Sequence, residues 1–272
     1  MMNISLGQYF PANSPIHRLD PRTKVICGIL YIVCAFLCRG TVAFSALLLS
    51  ALFLVLISRI PLRIVLRGMR PILFIMLFTM VINVFFTTGE TLLWEWKFLH
   101  IYKEGIFNAA FMAIRIIILI LGTSIFMTYT TTPIALTDGI ELLLSPLKKI
   151  RVPVHEFAMM MTITLRFIPT LVEETEKIIR AQKARGTDFE SGGLLKRAKA
   201  MIPILVPLFV SSFRRADELA TSMECRCYHG GDGRTRMRVL HLRFSDFFTV
   251  FLIVLLGAGL VVCNYFDPGY VM

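Results

Sequence analysis

The chain has 272 residues, 56% of them hydrophobic and 17% charged, with a mean hydropathy of +0.70. A soluble domain carries roughly 45–50% apolar and about 25% charged residues, so this composition excludes a disordered chain, a collagen-like fibre and a small disulfide scaffold. The net charge of +11, from 29 Lys and Arg against 18 Asp and Glu, reads in a lipid-solvated chain as topology before nucleic-acid affinity.

Apolar runs near the roughly 17–25 residues that cross a bilayer occur at 25–38, 42–57, 71–87, 106–129 and 247–263. The first two are separated only by Arg39, Gly40 and Thr41, which predicts a tight helical hairpin. The third and fourth flank 88–105, where Trp94 and Trp96 suit the interfacial belt. No secretory signal precedes the first run, and disulfides are not expected among Cys27, Cys34, Cys38, Cys225, Cys227 and Cys263. With the N-terminus inside, the cytosolic segments 1–24, 58–70 and 130–246 hold three, four and eighteen of the basic residues, 25 of 29. Only Arg39, Lys97, Lys103 and Arg115 lie elsewhere. The bias predicts a cytosolic N-terminus and, with five spans, an external C-terminus.

Residues 130–246 are too polar to span and too many for a loop. Thr130, Thr131, Thr132 and Pro133 form a helix-start signal, and Pro146 and Pro153 interrupt the chain again. A long helix is predicted over about 154–186, punctuated by Pro169 and ending at Gly186. A basic linker (Gly192, Gly193, Lys196, Arg197, Lys199) follows, then a second long helix over about 204–227 that stops at the glycine-rich loop 229–233. The fold class is therefore all-α. It combines a polytopic membrane region of four helices (25–129), a large cytosolic block (130–246) and a last span leading outside (247–272).

Both long helices are amphipathic, and unusually apolar for the cytosol. Leu205, Leu208, Phe209, Ser212, Phe213, Ala216, Leu219, Ala220 and Met223 recur at spacings of three and four, with Arg214, Arg215 and Glu218 elsewhere on the circumference. On the first helix Glu173–Lys177 and Glu176–Arg180 are i,i+4 pairs in the favoured order. The apolar stripes either pack on each other or leave surface for a membrane partner.

Catalytic signatures are absent. The run from Gly230 to Thr235 lacks the Gly-Lys-Ser/Thr ending of a phosphate-binding loop, and no metal-ligand spacing or cofactor motif occurs. Cys225, Cys227 and His229 alternate at a helix end without a fourth ligand. The spans hold no Asp or Glu in their interiors, which disfavours a self-sufficient coupled carrier. Their one charge, Arg115, is read as structural, either snorkelling outward or bonded to a carbonyl.

The two long helices end alike. Aligning Arg185 with Arg226 pairs Glu176 with Asp217 and leaves each helix with one Arg in its last turn, between small neighbours: Ala184 and Gly186, Cys225 and Cys227. Small neighbours allow close approach, and a guanidinium can fork onto a carboxylate. Two such endings suggest docking of two similar partners.

The segments SPIHRLDPRTK (14–24), TTP (131–133), LRFIP (165–169) and AQKARG (181–186) together resemble the transmembrane T component of energy-coupling-factor transporters, which import vitamins and transition-metal ions into prokaryotes. The resemblance covers nearly the whole chain. It implies a non-enzymatic scaffold in the prokaryotic cell membrane, without cofactor, linking two cytosolic ATPases to a separate substrate-binding membrane subunit. It also implies that the tripeptides at 184–186 and 225–227 dock the ATPases, the latter departing at both neighbours of its Arg. Cys at 227 puts in question whether the second helix closes with the same cap, since Gly tolerates a left-handed residue far better. Ile168, Leu171, Val172 and Thr175, with Leu205, Phe209, Phe213 and Met223, are expected to divide between helix crossing and the substrate-binding subunit. The alternative is a membrane-embedded transferase acting on a lipid. A nucleic-acid binder is not expected, because topology accounts for the basic residues.

Overall fold

The computed structural model describes residues 9–87, 91–96, 99–189, 193–231 and 239–266, and the chain divides into two compact units. The larger, residues 5–142 with 239–272, contains α1 (Pro21–Leu37), α2 (Thr41–Ser58), α3 (Leu62–Phe86), α4 (Lys103–Thr123), α5 (Pro133–Leu143) and α8 (Phe244–Phe266). Among its described residues a short antiparallel hairpin stands between α3 and α4, β1 (Leu92–Trp96) and β2 (Leu99–Tyr102), where the sequence suggested only a loop. α4 packs against α1, α2 and α3, and α8 closes against α1 and α2. The core between them is built from Tyr31, Leu47, Ile118, Ile125 and Phe126, each at most 1% exposed. At Gly122 a Cβ would run into the Tyr31 ring, so glycine lets α4 approach α1.

The expected hairpin forms, with α1 stopping at Leu37 and α2 starting at Thr41. Its turn is held from two sides. Asn264 of α8 donates to Leu37 O and accepts from the N–H groups of Arg39 and Gly40. Arg115 of α4 donates to Cys38 O at 2.9 Å and stacks over the Phe44 ring. The intramembrane charge is thus bonded to a carbonyl, one of the two roles expected for it.

Among the described residues, four helices are long and apolar enough to cross a membrane: α2, α3, α8, and α4 with the π-helical turn Ser124–Tyr129 that prolongs it. The protein is a polytopic all-α membrane protein. α1, with 17 residues, reaches about 26 Å against roughly 30 Å of hydrocarbon, which makes it the shallow member of the five expected spans. α3 starts at Leu62, nine residues before the expected span, and continues through Pro71. Burial of Val65 and Met69, one turn apart, sustains the early turns. The proline leaves the carbonyl of Arg67 without its helical partner, and Arg67 is exposed.

α5 begins at Pro133 as expected, with Thr132 Oγ1 accepting from Ala135 N–H. The segment 14–24 is a brace. Asp20 caps α1 by accepting from Arg22 N–H at 2.9 Å, and its own N–H donates to buried Asp246 at the start of α8. Lys24 Nζ donates to His17 O and Thr130 O. A Cβ on Gly139 would come within 2.9 Å of Pro21, so α5 lies directly against the start of α1.

The smaller unit, essentially residues 143–238, is two 31-residue helices packed on each other, α6 (Val154–Ala184) and α7 (Leu194–Glu224). α6 agrees with expectation. α7 corrects it: the helix starts at Leu194 rather than near 204, so the presumed basic linker is its first turns, with Lys196 N–H and Arg197 N–H bonded to Gly193 O. The helix passes through Pro203 and Pro207. The carbonyls these prolines leave unpaired belong to Lys199 and Pro203, both exposed, so water can satisfy them and the helix survives.

Candidate docking site on the long helices

α6 closes with a Schellman cap. Gly186 takes φ +84°, its N–H donates to Lys183 O, and Thr187 N–H reaches back to Gln182 O at 3.0 Å. α7 closes the same way one repeat later. Cys227 takes φ +55°, its N–H donates to Glu224 O at 2.9 Å, and Tyr228 N–H reaches Met223 O at 3.1 Å. The doubt raised by Cys227 is thereby answered: the cap is conserved in form, with a side-chain-bearing residue held in the left-handed region at a cost of about 1 kcal/mol or more.

In both caps the Arg is the residue just before the left-handed one, and both Ala184–Arg185–Gly186 and Cys225–Arg226–Cys227 are exposed. A +1 charge at each helix C-terminus complements the macrodipole. Neither guanidinium is paired with a carboxylate of the described residues. The arrangement presents two forked cations on rigid, identically capped helix ends, suited to carboxylate recognition.

The helices meet at an ion pair. Arg215 donates to Glu174 at 2.7 Å, with both side chains partly covered. Arg215 was expected away from the packed stripe, so its place at the crossing is a correction. These two residues are 41 positions apart, the same offset that relates Arg185 to Arg226, and the opposite charges at aligned positions were a signal the sequence contained. Each terminal Arg follows its crossing residue by eleven positions, about 16 Å along the helix.

The expected contact residues differ in exposure. Ile168, Leu171, Val172 and Thr175 on α6 are half-buried, as is Met223 on α7. Leu205, Phe209 and Phe213 are 44%, 61% and 68% exposed, and the two Phe rings stack on each other with centroids 6.4 Å apart. The α6 stripe is therefore more covered than the α7 stripe, much of which lies exposed. The pair Glu176–Arg180 forms at 3.5 Å.

The profile of the CbiQ family, described as cobalt transport protein, matches residues 12–237. The chain is 54% identical over 246 residues to the energy-coupling factor transporter transmembrane protein EcfT of Clostridium kluyveri, covering 90% of this chain and 91% of the relative. It is 56% identical over 245 residues to the EcfT protein of Ruminiclostridium cellulolyticum, covering 90% of each. The EcfT protein of Bacillus subtilis is 45% identical over 258 residues, covering 95% of this chain and 97% of the relative.

Proposed function

Because the chain belongs to the CbiQ family, which takes in the transmembrane proteins of energy-coupling factor transporters, we propose that it is the coupling scaffold of an ATP-driven importer of vitamins or other micronutrients. The chain is a multi-pass membrane component and not itself an enzyme. Two cytosolic ATPases dock on Arg185 and Arg226, and a separate membrane subunit that binds the substrate rests on the apolar face of α7. The observation that carries this reading is the doubled helix ending: two exposed arginines in the same cap, on helices that cross at equivalent residues. Two like docking points at equal distances from one crossing suit two like partners. ATP-driven approach of those partners would move the helix ends and, through the crossing, the uncovered face.

The charge bias supports a cytosolic N-terminus, α6 and α7, and five spans then lead to an external C-terminus. Impermeant thiol labelling at a cysteine introduced for Tyr270 tests this; labelling only after the membrane is opened would reverse it.

The docking arginines are tested by assembly and uptake. Removing one member of a desolvated charge pair costs about 2–5 kcal/mol, roughly 30- to several-thousand-fold in affinity. Each single variant, Arg185→Ala or Arg226→Ala, retains assembly through the surviving site's high effective concentration. The double variant loses ATPase co-purification and substrate uptake. Arg→Lys restores the charge without the planar fork and recovers part of the loss. Full assembly and full uptake in the double variant would reduce both arginines to ordinary helix-end charges.

A further inference from the structure

At the end of the larger unit where α2 stops and α8 starts, three arginines from separate elements line one cavity of about 400 Å³. Arg18 comes from the short helix Ile16–Arg18 of the N-terminal brace, Arg59 from the left-handed cap of α2, and Arg243 from the residue before α8. No carboxylate of the described residues pairs with any of them. The nearest candidate by sequence, Asp246, spends its oxygens on the N–H groups of Asp20 and Arg243. Among the described residues these guanidinium groups make one bond, a long one of 3.5 Å from Arg59 to Asn13 O. Three exposed like charges around one cavity repel one another, and an anion is their natural complement.

A second cleft of about 400 Å³ adjoins the first, the two sharing Pro15 and Ser245 in their walls. It runs between α2 and α8, and its walls are apolar, with Phe53, Ile57, Phe248 and Leu252 prominent. Each cavity falls within the roughly 300–1,000 Å³ of ordinary ligand sites. A cationic cup opening into an apolar slot between two membrane helices matches the shape of one molecule class: a phosphate bearing acyl chains.

We infer that this composite cavity binds an anionic phospholipid, its phosphate on Arg18, Arg59 and Arg243 and an acyl chain between α2 and α8. The three arginines belong to the brace, to α2 and to α8, so a bound lipid ties together elements distant in sequence. The site lies in the larger unit alone and is independent of any docking at Arg185 or Arg226.

The test is native mass spectrometry of the full chain, with whatever subunits co-purify, titrated with phosphatidylglycerol or with phosphatidylcholine of the same acyl chains. The original protein retains phosphatidylglycerol at least about ten-fold better than phosphatidylcholine. Each basic residue near an anionic lipid is worth roughly five-fold in affinity, so R18Q/R59Q/R243Q weakens phosphatidylglycerol retention by about 20-fold or more. R63Q/R67Q/R70Q, which removes the same charge from α3, leaves it within about two-fold. Should the first triple variant not fold, S245W, which fills the junction of the two cavities without changing charge, loses retention in its place. Equal losses in the two triple variants would mean a general charge effect and overturn the proposal. Inorganic phosphate binding as tightly as phosphatidylglycerol, without need of acyl chains, would overturn it as well.

Discussion

Glu174 of α6 accepts a 2.7 Å hydrogen bond from Arg215 of α7, its equivalent one repeat later. The two residues hold aligned positions in the 41-residue offset, so this contact joins the helices at equivalent points of their sequences. It is also an asymmetric use of symmetric positions, an acid on one helix and a base on the other. The two side chains are 21% and 35% exposed, which limits the pair to about 0.5–1 kcal/mol. Glu174→Gln and Arg215→Gln should each lower the melting temperature slightly, and their double variant should show coupling of that size. The exchange Glu174→Arg with Arg215→Glu should restore stability close to the original. Additive losses in the cycle would show that the crossing is held by its apolar neighbours alone.

The second cap makes a different prediction, because its strain is separable from packing. Gly186 has open space where a Cβ would stand, so Gly186→Ala should cost only backbone strain, about 1 kcal/mol. Cys227 already bears that strain at φ +55°. Cys227→Gly should therefore stabilise α7 by about 0.5–1 kcal/mol, less the entropy glycine adds to the unfolded chain. Thermal melting of the two variants checks both signs. A drop in melting temperature for Cys227→Gly would mean that the thiol makes a contact worth more than the strain it carries.

Much of this architecture was legible because it depends on local chemistry. Apolar length gave the membrane helices, Thr132 marked a helix start, and Gly186 marked an end. The misreadings share a cause. The expected starts at 71 and near 204 fall at or beside Pro71 and Pro203, yet α3 and α7 begin earlier and continue through these prolines. In α3 the buried Val65 and Met69 carry the turns before the proline, a tertiary effect that no local pattern displays. Cys227 puts the same cap in question, yet the two terminal hydrogen bonds of the motif hold it in the left-handed region. The cavity shared by Arg18, Arg59 and Arg243 is illegible for another reason: its arginines come from three chain segments and lie up to 225 positions apart, and each alone reads as topology.

His17 gives the brace a pH dependence. It lies in the short helix Ile16–Arg18, outside the membrane-spanning segments. Its Nε2–H donates to Phe10 O at 2.9 Å, which fixes the neutral tautomer and leaves Nδ1 to accept from Ser14 Oγ at 2.7 Å. Burial holds the imidazole below its ordinary 6.5, and the Lys24 charge acts in the same direction, against the Phe10 carbonyl. The unfolded chain therefore takes up this proton first as pH falls. The stabilisation is complete above pH 6.5 and is lost as acidification proceeds from there through the lower folded value. Melting temperature should fall between pH 7.5 and 5.5 more steeply in the original protein than in His17→Gln, which should be less stable at pH 7.5. Parallel slopes in the two proteins would assign the acid sensitivity to other groups.

The uncovered face of α7 distinguishes the two kinds of partner. Phe209 and Phe213 are stacked and more than half exposed, whereas the arginine that would dock an ATPase lies at the helix end, seventeen residues beyond Phe209, about 25 Å away along the axis. A stacked aromatic pair left exposed on a helix is apolar area awaiting a surface. Introducing a carboxylate there should penalise burial of that face against an apolar partner by several kcal/mol unless the group protonates. At the ATPase ends the same charge is too distant to matter, being more than two Debye lengths off at physiological salt. Phe209→Glu should accordingly abolish co-purification of the substrate-binding membrane subunit and stop uptake, while both ATPases remain bound. Phe209→Leu, which keeps most of the apolar area, should retain the subunit. If Phe209→Glu instead released the ATPases and kept the membrane partner, the faces of α7 would have to be exchanged.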